Sequence, residues 1–595
     1  MRGTAAIVLG IAASLPFVAA VHDRLVPREW NGQQYGCKCY YDDQCWPSQR
    51  QWNRLNSTVG GNLRVHIPPE SVCHNTFDGP LGTVETHDEE ACADLQLVYA
   101  SEQWSVEQDA MLLWKYFTNH TCQPTDDPTS SCTLGYYGVY VIDAQSKHHI
   151  KAGLEFARDH SLRLIVRNTG HDFIGRSTGW GALIIRTHDF QEVKWIKKYN
   201  GPGKYRGRAV KLGAGIQGRD ILTQAQSQDP PQALMTGECP TVGLVGGLIQ
   251  GGGHGPWTTL KGMVADRVLS FEVLTADGKF RTANEKENSD LYWALKGGGP
   301  LTYAIVLSAT VQTWDDLPAA GASLFINSTL TTDQDVLWEG IQIFHKYSNH
   351  LVDSGLYVYF EIFPFTFRVL PFVAIDSTRD QLDAITAPLL ADLTAAKVPF
   401  EYASREFTSV YDLYIEMFED EAAGAFGLTG GWMFSHQDVA ENNDQIIEAF
   451  KVALSPREDL ANQGGIVGHL WYPGYNMPEA QSATNPRLRN ASDFALTVLN
   501  VPVNASLETK ADLQDVLTNT MDEAFRKAGP GGCAYVNEGD PYQQDWQTRF
   551  WGDNYPKLLD IKHKWDPKGL FWTVSTPGSE DWDVIEYGTR LCKKL

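Results

Sequence analysis

Two glycine-rich loops constrain this chain more than any other feature. The first reads Arg167-Asn168-Thr169-Gly170-His171-Asp172-Phe173-Ile174-Gly175-Arg176-Ser177 and directly follows the apolar run LRLIV (162–166). The second reads Gly237-Glu238-Cys239-Pro240-Thr241-Val242-Gly243-Leu244-Val245-Gly246-Gly247 and continues to Gly251-Gly252-Gly253-His254-Gly255. Serial glycine lets backbone N–H groups approach a pyrophosphate where a Cβ would clash. Tight turns in a β-rich domain would explain one such loop, but two, one carrying His and the other Cys, point to chemistry. A third run, Gly213-Ala214-Gly215-Ile216-Gln217-Gly218, matches G-x-G-x-x-G, with Glu238 twenty residues past Gly218. It lies deep in the chain with no βαβ unit behind it, so a nicotinamide dinucleotide is not expected there.

Residues 1–20, MRGTAAIVLGIAASLPFVAA, have the form of a secretory signal, with cleavage expected near Ala20-Val21. That run is too short to span a bilayer, no later segment qualifies, and no membrane partner is expected. Sequons at Asn56, Asn119, Asn327, Asn490 and Asn504 fit a secreted, extracellular glycoprotein. The net charge of −23 (49 basic against 72 acidic side chains) would repel nucleic acid. Of ten cysteines, seven lie between Cys37 and Cys132 and another is Cys592. An oxidising compartment favours disulfides among these eight, leaving Cys239 and Cys533 either paired together or with other fates. Cys37-Lys38-Cys39 is no zinc knuckle, His148-His149 alone cannot make a site, and no metal is expected.

The alternation of short Val/Ile runs with helices after Tyr137 indicates α+β packing. Helices are expected over 88–100, 105–117, 146–160, 378–395, 442–454 and 546–565, and a hairpin from 355–365 and 367–375. Five segments follow: a signal over 1–20, a Cys-rich segment over 21–131, a cofactor domain over 132–316, a substrate-binding domain over 317–528, and a C-terminal return over 529–595.

The two loops, with VADRVLSFEVLTADG (264–278), DLYWALKGGGP (290–300) and Tyr535-Val536-Asn537, resemble the berberine-bridge-enzyme-like branch of the vanillyl-alcohol-oxidase flavoproteins. The resemblance covers about 132–311 and 534–576, and the Cys-rich start resembles secreted fungal members such as the isoamyl-alcohol-oxidase-like group. It implies a discontinuous PCMH-type FAD-binding domain with an inserted antiparallel-sheet substrate domain. By the same resemblance FAD is attached bicovalently, through His171 to the 8α-methyl and Cys239 to C6. Cys533 is then a free thiol, against the alternative of a Cys239–Cys533 disulfide and attachment by His171 alone. The resemblance places Arg167, Asn168, Thr169, Gly170, Asp172 and Ser177 around the pyrophosphate, with Gly243, Gly246 and Gly247 extending the cradle. Val268 and Val306 are matched to the adenine end, Asn537 to the ring, and Asn554 to the neighbouring helix.

Flavin carries the redox chemistry, and the protein sets orientation and electrostatics. Alcohol oxidation needs a base as hydride leaves for flavin N5, and the candidates are Tyr535 and His254. Tyr535, near 10 when free, would need help, whereas His254 could act at its ordinary value near 6.5. Phe173 stands where many relatives have Tyr, so one polar group of their site is missing. Glu361 and Tyr472 are candidates from the substrate domain. Val242, three residues after Cys239, is the small residue that in this branch accompanies reaction with O2. The expected function is a secreted, monomeric FAD-dependent alcohol oxidase that forms H2O2. A carbohydrate (oligosaccharide) oxidase, with Trp471 and Tyr472 stacking on sugar, and a flavin-carrying protein of low turnover are the alternatives.

Overall fold

The computed structural model describes residues 25–479 and 482–595; the signal expected over 1–20 lies outside the described residues. The two ends of the described chain meet in one small sheet. Strand Gln33–Cys37 pairs with Val26–Trp30 on one side and with Arg590–Lys594 on the other, which in turn pairs with Trp582–Ile585. The Cys37–Cys592 disulfide closes that sheet across a sequence separation of 555 residues. Cys39–Cys45, Cys73–Cys92 and Cys122–Cys132 are local staples. Cys239 and Cys533 remain buried thiols, so the alternative disulfide between them does not form.

A four-stranded sheet carries the first glycine-rich loop at the end of one strand. Its order is Leu63–Val65, Tyr140–Asp143, Leu183–Arg186, Leu164–Arg167, the last three mutually parallel. These three are almost wholly buried, as expected for parallel strands covered on both faces. Strand Leu63–Val65 comes from the segment 21–131, which is therefore built into this half of the molecule rather than standing apart from it. A second, antiparallel sheet runs Phe280–Asn284, Val268–Thr275, Ala304–Asp315, Arg208–Gly213, Val193–Ile196. Gly213 closes one of these antiparallel strands, so the G-x-G-x-x-G run has no βαβ context.

Seven antiparallel strands form the inserted sheet, in the order Glu401–Phe407, Ala319–Asn327, Thr366–Ile375, Tyr357–Phe363, Gly464–Leu470, Ala491–Asn500, Gly427–Ser435. The expected hairpin is the pair Tyr357–Phe363 and Thr366–Ile375. Helices Gln334–Lys346, Arg379–Ala395 and Asn443–Leu454 bury apolar stripes in the same core. Two expected helices differ. Over 105–117 the chain leaves helix Glu102–Glu107, and the carbonyls of Ser105, Val106 and Met111 accept hydrogen bonds from the buried Arg167 guanidinium. Over 546–565 the helix breaks into Trp546–Trp551 and Tyr555–Trp565 at Gly552, whose φ of 52° suits glycine.

Removing the bridge between the chain ends should be costly, because it constrains almost the whole unfolded chain. Cys592→Ser, in protein made under oxidising conditions, is expected to lose roughly 2–5 kcal/mol. Chemical denaturation monitored by tryptophan fluorescence checks this.

Candidate active site

The two glycine-rich loops face each other across a cleft. Of the residues expected to hold a cofactor, Asn168, Thr169, Gly170, His171, Asp172, Ser177, Val242, Gly243, Gly246, Gly247, Val306 and Asn537 line it. The loops interlock through missing side chains. A Cβ on Gly243 would lie 2.2 Å from Asn168 Oδ1, and one on Gly246 would lie 2.4 Å from Asn168 Cγ, whereas one on Gly247 would meet nothing within 4 Å. The Gly243 amide donates to Thr169 Oγ1 at 3.2 Å, and Asn168 Nδ2 donates to Thr187 Oγ1 and the Ala214 carbonyl. Asn168 Oδ1 and Gln250 Oε1, on two cleft-lining residues, are buried acceptors without a protein partner.

Four expected contacts are not among the lining residues: Cys239, which is buried beside His171, and three that are committed to backbone. Arg167 is fully buried, and its guanidinium donates to the carbonyls of Ser105, Val106, Met111, Asn168 and Thr169; it braces the loop from behind. Val268 is a core residue whose carbonyl accepts from Tyr292 Oη at 2.6 Å. Asn554 donates to the Ala483 and Thr484 carbonyls and so pins a neighbouring loop. Each has the chemistry of its expected neighbourhood but is spent on holding backbone. Asp172 likewise clasps Arg176, Oδ1 to Nε at 2.7 Å, and Arg176 donates onward to the Val536 carbonyl at 3.0 Å.

At one end of the cleft His171 and Cys239 converge, with the sulfur 3.9 Å from both ring nitrogens. Glu102, 3% exposed, joins them: its Oε2 accepts from Cys239 Sγ and from Thr241 Oγ1, both at 2.8 Å. Thr241 Oγ1 is also 2.5 Å from His171 Nε2. A hydroxyl has one proton, and Thr241 gives it to the carboxylate, so Nε2–H is the donor to Thr241 and Nδ1 keeps its lone pair. Burial, then the Arg167 charge, lowers His171 to about 3, so the ring is neutral. Burial, then Glu421 and Glu102, pushes the Cys239 thiol well above its ordinary value.

Tyr535 and His254 stand together, ring centroids 5.4 Å apart. Tyr535 Oη accepts from the Gly253 amide and from Asn537 Nδ2, both at 2.8 Å. The triple glycine permits this, since Gly252 and Gly253 have φ of 126° and 77° and a Cβ on Gly251 would lie 1.9 Å from Asn537 Oδ1. His254 sits between two carboxylates, Nε2 3.1 Å from Glu538 and Nδ1 3.3 Å from Glu238. Burial works to lower its pKa, but the Glu538 and Glu238 charges outweigh that and raise it to about 10. His254 is thus an imidazolium at neutral pH, which corrects the expectation that it could act as a base at its ordinary value. Burial, then Glu538, pushes Tyr535 far above 10, against the pull of the two hydrogen bonds it accepts. His469, lowered to about 3 by burial, packs at 4.9 Å from His254, and Trp471 stacks on it at 5.5 Å.

Residues 139–284 match the FAD binding domain family, and residues 534–574 match the berberine and berberine-like family. The chain is 34% identical to the FAD-linked oxidoreductase ZEB1 of Gibberella zeae over 94% of its own length and 95% of that protein. It is 32% identical to the VAO-type flavoprotein oxidase VAO615 of Thermothelomyces thermophilus, covering 94% and 95% of the two chains. The crystal structure of the VAO-type flavoprotein MtVAO615 from Myceliophthora thermophila superposes with a TM-score of 0.85, covering 94% of this chain and all of that one. The chain belongs to the berberine-bridge-like, VAO-type FAD-linked oxidoreductases. A carbohydrate oxidase from Microdochium nivale, 17% identical with a TM-score of 0.61 over 82% of this chain, shares the fold.

The donors present fit FAD: a glycine cradle with spare buried acceptors for its polar body and a neutral imidazole beside a thiol at one end. Sequence reasoning missed Glu102, Arg176, Glu238 and Glu538. Glu238 and Glu538 were each one residue from a named position, and their signal was adjacency to Cys239 and Asn537. Glu102 lies in a helix with no motif, and nothing local marks it. The candidates Glu361 and Tyr472 are occupied elsewhere. Glu361 is bound by Arg368 at 2.5 Å and Tyr359 at 2.9 Å, and Tyr472 packs on His436 at 4.2 Å.

His254 binds its proton more tightly when folded than when unfolded, so its contribution to stability is full below pH 6.5 and fades as pH rises through about 10. The urea midpoint should fall over that window, and His254→Gln should flatten the fall. Equilibrium unfolding at several pH values measures it.

Proposed function

We propose that this chain is a secreted oxidase that carries FAD on both His171 and Cys239, oxidises an alcohol and delivers the electrons to dioxygen, forming H2O2. The observation that carries the reading is the convergence of a neutral imidazole and a buried thiol, 3.9 Å apart, at the end of a cradle that fits FAD. When bound, FAD supplies the two-electron acceptor; the chain's own residues handle the proton and the orientation. The leader over 1–20, the eight disulfide-bonded cysteines and the exposed sequons at Asn490 and Asn504 support secretion.

Tyr535 receives the hydroxyl proton of the substrate. Its resting form is the phenol, and the Gly253 amide and Asn537 amide hold its oxygen ready to carry negative charge. These two hydrogen bonds work against burial and the Glu538 carboxylate, which hold the proton on the phenol. Only the tyrosinate can accept a proton, so the bond-breaking step quickens with pH. Val242 lines the cleft and leaves more room for dioxygen than a Leu would. Sugar stacking is not favoured: Trp471 is fully buried, and Tyr472 is covered by His436.

A panel of primary, secondary and carbohydrate alcohols, read by peroxide release, tests the activity; flavin that stays oxidised with every member would overturn it. With any member that reduces it, Tyr535→Phe should slow anaerobic flavin reduction about 100-fold or more and abolish its rise with pH. Val242→Leu should slow reoxidation by dioxygen while leaving anaerobic reduction nearly intact, as stopped-flow absorbance would show.

A further inference from the structure

We infer that Glu102 is the base that completes flavin attachment at Cys239, taking the thiol proton as the carbon–sulfur bond forms. The inference rests on the reading that Cys239 carries flavin and adds the residue that makes that bond possible. Glu102 Oε2 is 2.8 Å from Cys239 Sγ and 3.9 Å from His171 Nε2, so one carboxylate touches the sulfur and approaches the imidazole. Its other oxygen, Oε1, is buried and has no hydrogen-bond partner, an arrangement that a purely structural carboxylate would avoid.

The chemistry needs such a group. A thiolate, not a thiol, is the nucleophile, and this thiol sits in surroundings that hold its proton firmly. Lysine, arginine or a helix N-terminus would ordinarily favour the thiolate, but among the described residues no cation is paired with Cys239; its bonded neighbour is an acid. Burial raises Glu102 too, ahead of the Cys239 and Thr241 hydrogen bonds that lower it, which improves it as a proton acceptor. Thr241 ties the two anchors together, because its bond to Glu102 sets the tautomer that leaves His171 Nδ1 free.

The Cys239 S–H bond breaks and its proton goes to Glu102; a C–S bond forms at flavin C6, and the C6–H proton is lost. Two electrons and two protons would pass to dioxygen, giving H2O2. The net change is one thiol, one flavin C6–H and one O2 converted to one thioether and one H2O2.

The test uses full-length apoprotein from a riboflavin-starved host, mixed with FAD in air, with tryptic peptides followed by mass spectrometry over time. In the parent chain flavin should appear on both the His171 and Cys239 peptides. In Glu102→Gln, which keeps size and polarity, the His171 linkage should form while the Cys239 linkage forms about 100-fold more slowly. Alkaline buffer should partly restore it by ionising the thiol directly. Glu102→Asp, which keeps the carboxylate, should fall between the two and provides the comparison if Glu102→Gln misfolds. Cys239 attachment at the parental rate in Glu102→Gln, or no difference between Gln and Asp, would overturn the role of Glu102. Parent protein with flavin on His171 alone would instead overturn the bicovalent reading on which it stands.

Discussion

A single buried cation organises the site. Arg167 emerges from the last strand of the parallel sheet and spends its guanidinium on carbonyls of two segments, 105–111 and its own loop. A rigid fork of N–H donors satisfies several carbonyls at once, and leaving a buried carbonyl unpaired costs about 1–3 kcal/mol. This contact stops helix Glu102–Glu107 where it does and so sets Glu102 against the second glycine-rich loop. Burial, and after it the same charge, keeps the His171 ring neutral. Cradle, anchor and the acid beside it therefore depend on one residue that does not line the cleft.

Around that brace several buried charges are held in pairs or larger groups. Arg176 is held by Asp172, His254 by Glu238 and Glu538, and Lys562 by Asp566. Burying an ion alone is expensive, and a partner at hydrogen-bond distance offsets most of that cost. The His254 group is the consequential one, because two carboxylates around one imidazole convert an expected base into a fixed positive charge. Beside it, the Tyr535 oxygen accepts hydrogen bonds from the Gly253 and Asn537 amides.

Much of the flavin half was legible in the chain. Serial glycine, a His in one loop and a Cys in the other carry a chemical requirement in their own identity, so no partner needs to be known to read them. The helices over 146–160, 378–395 and 442–454 were visible in their apolar spacing, which is a local property. The helix expected over 105–117 was not: its periodicity was overridden by a guanidinium from residue 167, and no local window contains that competitor. Val268 and Asn554 do not line the cleft for a similar reason, since their polar atoms are committed to distant partners, Tyr292 and the 483–484 carbonyls.

By itself, the sequence determined which groups could do chemistry and that eight cysteines at the two chain ends would be tied together, because residue identity and parity need no geometry. Only the tertiary structure decided which acid meets which base. Glu102 reaches Cys239 across 137 positions and Glu538 reaches His254 across 284, and a proton affinity is set by such neighbours and by burial, both of which exist only once the chain has closed on itself.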